Sequence, residues 1–96
     1  MSTTRPAAVA TQQIINDRMI VTEWRFAPGA ETGWHRHALD YVVIPGMDGQ
    51  LLLQTDAGEQ LAELHHGQSY TRQAGVEHNV INASEHEFFF IEVELR

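Results

Sequence analysis

The chain has 96 residues, 43% of them apolar, with 13 carboxylates against 6 cationic side chains and no cysteine. That length supports one small domain rather than two separate cores, and the apolar share argues against wholesale disorder. A net charge of −7 opposes nucleic-acid backbones, no basic amphipathic face suits an anionic membrane, and any metal must be held by nitrogen and oxygen alone.

Residues 1–18 begin with a small, polar run containing Pro6. They are expected to form an N-terminal arm, either loose or added as a strand to a neighbouring subunit, ahead of a domain over residues 19–96. The arm has no apolar run of signal-peptide length, and no segment is long enough to span a membrane, so the expected location is cytoplasmic.

From residue 19 the chain alternates. Ile20, Thr22, Trp24 and Phe26 share one face and Val21, Glu23 and Arg25 the other, the pattern of a half-buried strand that ends at Pro28-Gly29. Extended stretches follow at 35–37 and 39–44, closed by Pro45-Gly46. Asp48-Gly49 carries a tight-hairpin signal. Strands are expected at 51–55 and 60–64, separated by Asp56-Ala57-Gly58, then at 69–72 and 78–82, separated by Ala74-Gly75. In the last strand, residues 87–95, Phe89, Ile91, Val93 and Leu95 are read as the core face. Phe88, Phe90, Glu92 and Glu94 are then read as pointing away. Short strands with turns every 8–12 residues predict an all-β sandwich or barrel. Outward aromatics at Trp34, Phe88 and Phe90 predict a second buried surface, most simply a homodimer.

His35 and His37 are the most informative residues. On a strand, alternate side chains share a face, so this pair would stand about 7 Å apart at Cα and point the same way. On a helix the two would lie about 200° apart around the axis and could not grip one ion. The pair is half of a plausible metal site, and His78 is the candidate for the other half. Taken singly, each would be an ordinary structural or surface histidine.

Around these residues the spacing resembles the cupin superfamily. Gly29-x5-His35-x-His37, ending at Gly46, is similar to its first motif, and Gly67-x5-Gln73-x-Gly75-x2-His78-x3-Asn82 to its second. The resemblance implies a cupin-type double-stranded β-helix, or jelly-roll barrel, with one divalent transition metal (Fe, Zn, Ni, Mn or Cu) held by His35, His37 and His78. Two departures stand out. Gln73 replaces the usual proline of the second motif. Tyr41 and Val42 stand where cupins commonly carry a glutamate ligand, so the resemblance implies a three-histidine site. Asp40 could turn inward only through a bulge, and Tyr41 could point into the pocket. Both are candidates for proton transfer beside the metal. The run Gly33-Trp34-His35-Arg36-His37 followed by Asp40-Tyr41-Val42-Val43 resembles the short single-domain cupins associated with β-alanine breakdown.

The remaining polar residues have plainer readings. His65, His66 and His86 read as surface residues, Arg36 as pointing out of the barrel, and Glu31 and Glu77 as loop carboxylates. Asn82 could support a ligand or satisfy backbone groups. The expected function is metal-dependent chemistry on a small organic acid, by oxygenation, isomerisation or decarboxylation. The alternative is a non-catalytic module that binds a small-molecule ligand and keeps a structural metal.

Overall fold

In the computed structural model, which describes residues 4–96, the chain forms nine strands and, among the described residues, no helix. In chain order they are β1 (Val9–Ile15), β2 (Met19–Phe26), β3 (His35–Arg36), β4 (Asp40–Pro45), β5 (Gly49–Thr55), β6 (Gly58–Leu64), β7 (Tyr70–Arg72), β8 (Glu77–Asn82) and β9 (Phe88–Leu95). They pair antiparallel in two sheets, ordered β1-β2-β9-β4-β7 and β3-β8-β5-β6. The chain repeatedly crosses between the sheets, which makes the fold a jelly-roll barrel of the expected double-stranded β-helix type.

Aromatic and aliphatic side chains from both sheets fill the interior. Phe26 and Phe88 are fully buried, Leu51 nearly so, and Phe90 packs between the two phenylalanines at ring distances of 5.6 and 6.4 Å. Burying each such ring contributes about 1.5–3 kcal/mol. Two glycines are set by this packing. A Cβ at Gly49 would meet the Phe88 ring, and one at Gly46 would meet the ring of Phe89 on the opposite face of β9.

The faces of β9 are the reverse of the sequence expectation. Phe88, Phe90 and Glu92 are buried, while Phe89, Ile91 and Val93 are only half-buried on the outer side. Both alternating sets of this strand are apolar, so hydrophobicity alone could not rank them. The argument for a dimer from outward Phe88 and Phe90 is therefore overturned. The hairpin expected at Asp48-Gly49 is also corrected. Those residues carry the chain from one sheet to the other, and the two-residue hairpin lies instead at Asp56-Ala57, between Thr55 and Gly58.

Residues 1–3 of the expected arm lie outside the described residues. Its remainder is tied down within the same chain. Ala8 and Pro6 bond to the backbone of Glu31, and β1 pairs with β2 at the sheet edge, with a register shift between Gln12 and Ile14.

Candidate metal centre

The two motifs meet because β3 pairs with β8, setting His35 directly opposite His78. Past the end of β3, the His37 backbone is held by two hydrogen bonds, its amide to the Val76 carbonyl and its carbonyl from the Gly75 amide, both 2.8 Å. Alternation then brings His37 back to the face of His35. The three rings converge: His37 Nε2 lies 3.0 Å from His35 Nε2 and 3.1 Å from His78 Nε2. At most one proton can serve both contacts, whereas a cation between the nitrogens would satisfy all three lone pairs. This donor set fits a transition-metal ion.

The tautomer of His35 follows from its other nitrogen. Nδ1 lies 2.8 Å from the Gly33 carbonyl, which can only accept, so Nδ1 carries the proton and Nε2 keeps its lone pair. The loop bearing that carbonyl is itself anchored by Asn79. Asn79 Oδ1 accepts from the Gly33 amide at 2.9 Å, and its Nδ2 donates to Glu31 and Gln54 at 2.8 and 3.0 Å. Sequence reasoning passed over Asn79; its place next to His78 in the chain was the available signal.

Burial lowers His37 to about 4, with the neighbouring His35 and His78 adding to the effect. Burial also lowers His78 to about 4, helped by His35 and Arg72. Both rings are therefore neutral near pH 7, the form a metal needs.

Tyr41 lies in the cavity wall. It is buried, and its ring stacks on His37 at 3.9 Å between centroids with 20° between planes. Burial, reinforced by Glu92 and Tyr70, raises its hydroxyl pKa, so it keeps its proton and serves as a donor. Asp40 sits differently. It is exposed, its Oδ1 accepts from the Ala74 amide at 2.8 Å, and it does not line the cavity around the three imidazoles.

Glu92 was missed as a site residue because it was read with the outward face of β9. Once Phe88 and Phe90 are inside, Glu92 follows by alternation. It is 7% exposed and lines the same cavity as the imidazoles, together with Trp24, Tyr41 and Tyr70. Burial raises it to about 7, with Glu94 adding to the rise and the Trp24 indole opposing it. Carboxylate oxygens of Glu92 and Glu94 and a ring nitrogen of His37 all lie within 4.8 Å of one another. The free space inside is about 20 Å³, room for one water-sized group.

The other polar residues divide cleanly. Asn82 satisfies backbone: Nδ2 reaches the carbonyls of Phe26, Ala27 and His86, and Oδ1 accepts from the Ser84 amide. Glu77 is exposed and accepts from the Trp34 indole, while Glu31 accepts from Asn79. His65, His66 and His86 are exposed. His65 and His86 line a wider cleft of about 500 Å³ away from the imidazole trio, and no group with metal-ligand spacing occurs there among the described residues.

A two-sheet antiparallel barrel with three imidazoles converging inside it is the architecture of a small jelly-roll barrel with a candidate metal centre. The Cupin domain family matches residues 22–94, and the chain belongs to the cupin superfamily. It is 63% identical over 92 residues to the "Beta-alanine degradation protein BauB" of Pseudomonas aeruginosa, covering 96% of this chain and 97% of that protein. Among solved structures, a cupin domain from Bordetella pertussis Tohama I is 57% identical and superposes with a TM-score of 0.97, covering 99% of both chains. The polyketide cyclase RemF of Streptomyces resistomycificus is 21% identical with a TM-score of 0.71, covering 97% of this chain and 70% of that one, and shows the fold alone.

Proposed function

We propose that the protein binds one divalent transition metal through His35, His37 and His78 and uses it on a small organic acid in the breakdown of β-alanine. The convergence of the three Nε2 atoms carries this reading. The likeness to the β-alanine degradation protein supports the metabolic setting. The three-imidazole donor set suits transition-metal ions such as Fe, Zn, Ni or Cu.

When bound, the ion supplies Lewis acidity toward a substrate oxygen. The chain's own residues supply the rest. The Gly33 carbonyl holds His35 in the ligating tautomer, and Tyr41 pins the His37 ring by stacking and offers a buried hydroxyl donor toward the cavity. Of the two proton-transfer candidates, we assign that role to Tyr41; Asp40 caps the Ala74 amide from the surface.

We also propose a homodimer, on different grounds from the overturned one. β1 is exposed along both faces, with Val9 62%, Ile14 47% and Ile15 57% accessible, and an edge strand of this kind favours cover by a second copy. The location proposed is cytoplasmic. The decisive experiment is elemental analysis of untagged protein, repeated on His78→Ala. One equivalent of metal in the wild type and none in the variant is expected. Equal metal in both, or none in either, refutes the assignment.

A further inference from the structure

An antiparallel strand with one solvated face alternates apolar and polar residues, whereas a strand covered on both faces reads as an apolar run. β4 and β9 are of the second kind, with Tyr41-Val42-Val43-Ile44 and Phe88-Phe89-Phe90-Ile91, yet only one face of their sheet packs into the barrel. The opposite face is apolar across four strands. Cross-strand partners share a face, so Ile14, Val21, Val93 and Val42 form one row over β1, β2, β9 and β4. Ile91 stands beside Ile44 in the next row, and Phe89 and Leu95 close the two ends. The outer face of β5 and β6 is built differently. There Leu52 beside Leu61 is flanked on both sides by hydrogen-bonded polar pairs, Gln50 with Glu63 and Gln54 with Glu59.

We propose that a second copy of the chain docks on this outer face of the five-stranded sheet, sheet against sheet, about a two-fold axis. The proposal rests on the homodimer of the preceding section and names its interface. Four strands about 4.8 Å apart, over the seven residues from Phe89 to Leu95, cover roughly 19 by 24 Å, or about 450 Å². Two such faces remove about 900 Å² in projection and more along the corrugated accessible surface, which reaches the ~1,000 Å² at which specific interfaces begin. A single helix, about 10 Å across, would leave half of that width exposed. A sheet of the same twist and size fits it, because aligned sheets stack about 10 Å apart at about 30°. Identical faces meeting about a two-fold axis also close the assembly. Charges on the face are already compensated. Arg25 bonds Glu23 at 3.0 Å and Glu87 at 2.7 Å, and Asp40, at a corner, accepts from the Ala74 amide, so docking strands no lone charge at the centre. A net charge of −7 on each copy opposes approach, and the apolar contact has to supply the attraction.

The test is sedimentation equilibrium across the micromolar range, in chelator so that metal uptake plays no part. The wild type is expected to be dimeric, and to tighten as salt screens the like charges. Ile44→Glu puts an unpaired carboxylate into the face at a position exposed in the single copy. It should weaken dimerisation at least about 100-fold with the circular dichroism spectrum unchanged. Should that variant fail to fold, Leu95→Glu, more exposed and at the end of the same face, is expected to weaken it at least about 10-fold. Leu61→Glu, on the outer face of the other sheet, and Ile15→Glu, on the opposite face of β1, should stay within about 3-fold of wild type. A wild type that stays monomeric overturns the face together with the dimer. A dimer that survives the folded face variant overturns the face alone, and dissociation by Ile15→Glu would then put the contact on the other side of β1. Loosening by salt would show that charge drives association and would overturn the face as well. A monomer that partitions onto phosphatidylcholine vesicles, and loses this with Ile44→Glu, would make lipid the occupant and overturn the second copy. Elemental analysis reads the metal centre independently of each of these results.

Discussion

Replacing Glu92 by Gln should stabilise the metal-free protein, and only above the pH at which the carboxyl ionises. The group is displaced from 4.5 to about 7, first by burial and then by Glu94. Between those values the native state keeps a proton that the unfolded chain has released, so stability falls as pH rises through that window. At ~1.4 kcal/mol per tenfold change in ionisation, the full effect above pH 7 is about 3 kcal/mol. Gln has nearly the same shape and retains an acceptor for the Trp24 indole, so packing should survive. Relaxation around the charge in the wild type reduces the gain to about half, which for a domain of this size raises Tm by about 6–12 °C. The assay is thermal unfolding followed by circular dichroism, in chelator, from pH 5 to pH 8. Variant and wild type should melt within about 2 °C of each other at pH 5 and diverge steadily toward pH 8. An offset independent of pH, or a variant less stable than wild type at pH 8, would show that Glu92 is not a desolvated carboxylate.

His37 and His78 act in the opposite direction. Each ionises near 6.5 when free and at about 4 in the fold, so the unfolded chain takes up protons that the native state refuses. The metal-free protein should lose their contribution as pH falls from 6.5 to about 4, and the extra Tm given by added metal should vanish over the same range. A metal increment still intact at pH 4, measured by melts with and without chelator, would contradict ligation by these rings. Asn79→Ala removes the anchor of the Gly33 loop and should weaken metal affinity by about 10–100-fold, within the range for outer partners of ligating histidines; unchanged affinity in a calorimetric titration would dismiss that role. Gly46→Ala forces a methyl toward the Phe89 ring and should cost about 1–3 kcal/mol in urea unfolding, with a neutral result showing that Phe89 is free to move.

Much of the site was legible because its signals are local. The His35/His37 spacing works only on a strand, and the glycine-punctuated turns around both motifs mark where short strands stop. The three histidines then follow from two motifs whose strands, β3 and β8, pair directly. Glu92 was invisible for a different reason. Its strand carries apolar residues on both alternating faces, Phe88 and Phe90 against Phe89, Ile91 and Val93, so period-2 reasoning could group its residues without orienting them.

By itself the sequence determined the all-β class and most of the strand breaks, which depend on neighbours a few residues apart, and two spaced motifs made His35, His37 and His78 the candidate imidazoles. Tertiary structure alone decided which side of β9 faces inward, that Tyr41 rather than Asp40 lines the cavity, and that the buried carboxylate of Glu92 lines it together with the three imidazoles. Those outcomes depend on which sheet packs over which. That choice is made by the summed fit of Phe26, Phe88 and Phe90 between two sheets, a contact between segments far apart in the chain.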